Sequence, residues 1–99
     1  MRRAAKVDAN QSAIVRALRA VGAKVQSLAT VGRGCPDILV AHRRRWFVCE
    51  IKNGGNVPSA QQLTDDEKQW HREFSQQADV HVVRSVPEAL AVLGIEVRR

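Results

Sequence analysis

Apolar residues recur along this chain at two different spacings, and the changes between them predict its elements. Ile14, Val15, Leu18 and Val21 fall on one helical stripe, with Arg16 and Arg19 facing away. They predict a first helix over residues 8–21, stopped by Gly22. Residues 25–29 predict a short strand, and "TVGRGCP" a loop dense in turn-permitting residues. "DILVA" and "WFVCEIK" carry the strongest strand patterns. "HRRR" joins them as a hairpin connection, although it lacks the Asn-Gly pair that marks a tight turn. "NGGNVPSAQQ" predicts a flexible, exposed loop. A second helix is expected over residues 64–76, with Leu63, Trp70 and Phe74 on one side. "DVHVVR" predicts another strand. "SVPEALAVLG" predicts a last short helix, with Ser85 as cap, Pro87 in the first turn and Glu88 three residues after the cap. The order α-β-β-β-α-β-α predicts a compact α/β fold, a mixed sheet flanked by helices.

Length and charge narrow this further. Ninety-nine residues make one domain, here spanning 1–99, with a core of modest size. The formal net charge is +6 and the pI about 10.4, which favours an anionic partner, nucleic acid first. Surplus arginine can also serve solubility alone. No apolar run follows the basic start "MRRAAKVDANQ" and no segment approaches transmembrane length, so the expected setting is the cytoplasm, without a membrane partner. Cys35 and Cys49 are then expected to be thiols.

The chemistry lies in the two strong strands. Side chains alternate along a strand, so Glu50 and Lys52 share one face while Cys49 and Ile51 share the other. Folding the hairpin about Arg43 and Arg44 pairs Ala41 with Trp46, Leu39 with Val48, and Asp37 with Glu50. In that register the two carboxylates are cross-strand neighbours, with β-carbons about 5 Å apart. Like charges so placed destabilise a sheet unless something offsets them. A shared proton would do so. A divalent cation, Mg²⁺ or Mn²⁺, would do so better. Lys52, one pleat on, would orient the nucleophile or stabilise charge on a phosphate. Two acids, a cation and a lysine on a basic domain suggest metal-assisted phosphodiester hydrolysis. Either half alone, "PD" at a turn or "E-x-K" on an edge strand, is more often structural.

"CPDILVAHRRRWFVCEIK" resembles the signature of the PD-(D/E)xK nucleases, with Pro36-Asp37 and Glu50-Ile51-Lys52 as its halves. The wider chain is similar to the VRR-Nuc branch, in particular to small stand-alone bacteriophage members. The stretches that carry this are "DANQSAIVRALRAVGAKVQSL", "GRGCPD", "LTDDEKQWH" and "VVRSVPEAL". The resemblance implies that Asp37, Glu50 and the backbone carbonyl of Ile51 hold the metal, and that Lys52 is catalytic. It also implies a structure-selective nuclease of branched DNA, a homodimer, and the cytoplasm of a bacterial host. Two positions depart from the pattern. Gln11 stands where many relatives have a first-helix glutamate, and Glu67, one turn before Trp70, where many have a glutamine. Each has two readings. Asp8 to Gln11 and Thr64 to Glu67 have the form of capping boxes, yet Gln11 and Glu67 also lie on the inward stripes of their helices.

Arg43, Arg44 and Arg45 fit a phosphate clamp as well as a solvated turn, and Arg33 and Lys68 are further candidate DNA contacts. Trp46 and Trp70 are expected in the core or an interface. His42, His71 and His81 show no ligand spacing, and a zinc site of Cys35, Cys49 and His42 fails because Cys49 points away from Glu50's face. The sequence therefore favours a metal-dependent DNA endonuclease. Its rivals are a non-catalytic nucleic-acid-binding module on the same fold and a protein–protein adaptor.

Overall fold

The computed structural model of the protein describes residues 9–97. Its elements run α1 (Gln11–Ala20), β1 (Lys24–Ser27), β2 (Ile38–His42), β3 (Arg45–Ile51), α2 (Asp65–Phe74), β4 (His81–Val83) and α3 (Val86–Val92), in the expected order. A 3-10 turn at Pro58–Gln61 is additional, inside the segment expected to be a plain loop. The four strands form one sheet in the order β1-β2-β3-β4. The first two pairings are antiparallel; β4 joins β3 in parallel after the crossover through α2.

One face of the sheet makes the core. Ile38 and Val40 of β2, Phe47, Cys49 and Ile51 of β3, and Val83 of β4 pack there against Ile14 and Leu18 of α1 and Ala89 and Leu90 of α3. Strand alternation puts Leu39, Ala41, Trp46, Val48 and Glu50 on the other face. α2 lies over that side, where Glu67 and His71 meet Lys52 and Glu50, and none of its residues is fully buried.

The helix ends follow local chemistry. Gly22 has φ +93° and donates to the Arg19 carbonyl, while Ala23 N–H reaches the Leu18 carbonyl; this is a Schellman stop. Gly94 (φ +81°), Ala91, Leu90 and Ile95 repeat it after α3. Ser85 Oγ accepts from Glu88 N–H, as its spacing suggests, but Glu88 reaches back to the amide of Arg84.

Several expectations need correction. α1 begins at Gln11 with Asn10 as N-cap, and Val21 is its exposed C-cap, so the buried stripe is Ile14 and Leu18. Arg2, Arg3, Lys6 and Asp8 lie outside the described residues. Of the two readings of Gln11, the capping box does not fit, because Asn10 is the N-cap and Gln11 sits at the first helical position, not the third. The strand expected over 25–29 is Lys24–Ser27. Trp46 is 71% exposed and no part of the core. Trp70 is half-buried, stacked on Phe74 with ring centroids 3.8 Å apart.

The hairpin is as tight as its register demands. Ala41 pairs with Trp46, Leu39 with Val48, and His42 with Arg45, leaving two turn residues. Both are arginines with positive φ, Arg43 at 51° and Arg44 at 69°. That is the backbone of a primed two-residue turn, which asparagine and glycine usually supply.

Candidate active site

Asp37, Glu50, Lys52 and Glu67 line one cleft of about 340 Å³, together with Ser59, Ala60, Gln62 and Thr64. The sheet ladder ends at Ile38 and Cys49, one residue short of the acids. Asp37 extends it locally: its N–H donates to the Cys49 carbonyl at 3.1 Å, and its Oδ2 accepts from Ile51 N–H at 2.6 Å. The Asp37 carboxylate is thus fixed against the end of β3, beside Glu50.

Glu50 is only 2% exposed. Burial pushes its carboxyl up to about 10, helped by the adjacent Asp37 side chain and by Glu67. Its Oε1 is buried and accepts no hydrogen bond, while its Oε2 lies 3.8 Å from Lys52 Nζ. Lys52 is itself 7% exposed and donates from Nζ to Glu67 Oε1 at 2.8 Å.

Glu67 caps its helix and at the same time meets Lys52. Its Oε1 accepts from Thr64 N–H at 2.8 Å, and Thr64 Oγ1 accepts from Glu67 N–H, which completes the capping box of α2. The same Oε1 holds Lys52. Burial works to raise the Glu67 carboxyl, but the bonds from Lys52 and Thr64 outweigh it and hold it below the usual range. A close backbone approach positions the start of α2. A Cβ on Gly34 (φ +81°) would overlap the Asp66 carbonyl, so the "GRG" loop abuts the first turn of α2 directly.

Gln11 is buried with its Oε1 unpartnered, but it lines a separate groove that also involves Val15, Val25 and Ile38. Cys49 is in the core, where burial pushes its thiol up to about 12. Cys35 lies on the acids' side; burial, then Glu50 and Asp37, raise its thiol. Lys68 lies in a neighbouring groove of about 520 Å³ that shares Gln62 with the cleft and includes Arg84. Arg33 is exposed in the loop before Asp37, with φ 57°. Arg43, Arg44 and Arg45 are exposed at the far end of the hairpin, with Arg45 5.4 Å above the Phe47 ring.

Three further residues bear on the cleft. Asn10 Nδ2 donates to the carbonyls of Lys52 and Arg84, which ties the start of α1 to the ends of β3 and β4. Arg84 lies in the groove beside the cleft. His71 places Nε2 3.9 Å from Glu50 Oε1, and that nitrogen is also buried without a partner. Burial lowers its pKa, as does Lys52, against an opposing pull from Glu67. The spacing of His71, four residues after Glu67 on one helix face, was the available signal.

A scan against protein-family models and a search of curated proteins gave no match. Among solved structures, one described as a VRR_NUC domain matches with a TM-score of 0.62 and 26% identity, over 85% of this chain and 89% of that one. The mixed four-stranded sheet with flanking helices agrees with that likeness, which associates the chain with a nuclease-type function. Sequence resemblance and three-dimensional match converge: the fold of this chain is similar to that of a VRR_NUC domain.

Proposed function

We propose that this chain is a Mg²⁺- or Mn²⁺-dependent DNA endonuclease hydrolysing phosphodiester bonds, with one such domain over residues 1–99. The observation that supports it best is Glu50, a nearly inaccessible carboxyl group held beside Asp37, with a pKa raised by burial and by its acidic neighbours. Such an arrangement is costly without a counter-charge. Its hard oxygen donors fit a divalent cation. Asp37 and Glu50 would hold the ion, with the Ile51 carbonyl as third donor. The chemistry such an ion supplies is a lower pKa for the attacking water and neutralisation of charge on the phosphate. Lys52 has its own role: Nζ, steadied by Glu67, can donate to a phosphate oxygen as charge builds there. Glu67 positions that lysine. Lys68 and Arg84 in the adjoining groove and Arg33 in the loop before Asp37 would serve as phosphate contacts, with Arg43, Arg44 and Arg45 at the hairpin tip.

The reading extends to branched DNA as preferred substrate, and to a homodimer working in the cytoplasm of a phage-infected bacterial host. Among the described residues no helix is long and apolar enough to cross a membrane. The test is one gel: four-way junction, flap, single-stranded and linear duplex DNA, each with Mg²⁺, Mn²⁺ or EDTA. Metal-dependent cutting, strongest on branched substrates and about 10²–10³-fold weaker in Asp37→Asn, is expected.

A second reading is a non-catalytic nucleic-acid-binding module on this fold. One observation favours it: Gln11 stands where the resemblance implies a helix-one glutamate. It predicts salt-sensitive binding and no cutting under any metal.

A further inference from the structure

The geometry points to His71 as a positioning residue for Glu50: its Nε2–H holds Oε1 of that carboxylate and so orients the group that receives the cation. The inference rests on the proposed cation-binding role of Glu50 and deepens it.

Two rungs join α2 to β3. Glu67 meets Lys52 at 2.8 Å, and His71 meets Glu50 at 3.9 Å. The helix advances four residues between rungs while the strand goes back two. Four helical residues rise about 6 Å and two strand residues about 6.6 Å, so the spacings match and both contacts form along one line. The first rung is a closed charge-assisted hydrogen bond. The second is about 1 Å longer than an ordinary hydrogen bond. Both of its atoms are buried, and each lacks any other hydrogen-bond partner. Two orphaned polar atoms that face each other are resolved most simply by closing on each other, through a small side-chain rotation. That requires a proton on Nε2, which leaves Nδ1 as the unprotonated nitrogen. Glu50 would then be held through Oε1 by His71, with Oε2 on the side of Lys52.

The test measures cation binding by the intact chain without DNA. Free Mn²⁺ is followed by electron paramagnetic resonance and Mg²⁺ by calorimetry, for wild type, His71→Leu, His71→Gln and Glu50→Gln. His71→Leu keeps the bulk and removes the donor; His71→Gln keeps a donor near Nε2. The expected result is a loss of about tenfold or more in affinity for both ions in His71→Leu, the usual scale for partners of metal ligands, with recovery in His71→Gln. In the metal-free wild type, long-range ¹⁵N–¹H correlation of the imidazole should show the Nε2–H form. Wild-type affinity in His71→Leu would overturn the inference, as would an Nδ1–H imidazole. So would a loss confined to Mn²⁺, which would make His71 a ligand itself. If wild type binds neither ion, the cation reading of Glu50 fails first, and this inference with it. If His71→Leu does not fold, the imidazole spectrum of wild type decides alone.

Discussion

The two faces of the sheet are built on opposite rules. On the covered face, α1 and α3 bury Ile14, Leu18, Ala89 and Leu90 against five apolar strand residues and Cys49, so stability comes from removing apolar surface from water. On the other face, α2 buries no residue fully, Trp46 stands in solvent, and the best-buried side chains are a carboxylate and a lysine. Adjacent residues on β3 serve both purposes. Cys49 and Ile51 point into the core, while Glu50 and Lys52 point into the cleft. A single strand thus transmits the rigidity of the packed side to the charged side.

Substitutions can break this contrast. The largest effect belongs to the covered face: Leu18→Ala should cost about 2–5 kcal/mol in urea unfolding, since it leaves a cavity in a closed core. On the open face, Asp37→Asn should lower cleavage by about 10²–10³-fold, the scale of one lost transition-state-stabilising group. Its amide oxygen can still accept from Ile51 N–H, so the urea midpoint should stay near wild type.

The next test uses pH. Folded Glu50 keeps its proton over a range where the unfolded chain releases it, because its pKa rises from 4.5 to about 10. Native protein then binds more protons than unfolded protein, so stability contributed at low pH is lost as pH climbs through that window. Thermal melts in EDTA should fall with rising pH, and Glu50→Gln should flatten the slope. A smaller effect is expected of Thr64→Ala, about 1 kcal/mol from the lost cap, read by urea denaturation. Smallest is Trp46→Ala, whose exposed ring should leave stability within about 0.5 kcal/mol of wild type by the same measurement.

The two faces also differ in how far the sequence disclosed them. Hairpin register was legible because strand alternation has a period of two, and a slip by one residue would put Glu50 into the core and Cys49 outside. Helix ends were legible where a glycine or a Ser-Pro-Glu pattern acts locally, as at Gly22 and Ser85. The parts that escaped depend on where α2 settles. Its seat is set by backbone contact between Gly34 and Asp66, residues far apart in the chain, and no local pattern reports that. Hence His71 looked like an isolated histidine, and nothing local reported that one Glu67 oxygen both caps α2 and meets Lys52. For Trp46, strand alternation gave a face but not whether anything within the chain covers that face.

The arginine pair at the hairpin tip allows charge and conformation to be separated experimentally. Arg43 and Arg44 both occupy left-handed backbone that costs them more than it would asparagine or glycine. Replacing them with Asn-Gly should therefore tighten the ribbon while deleting two positive charges. A protein that becomes sturdier yet grips DNA less firmly would assign those side chains to recognition, and their awkward backbone to the demands of that task.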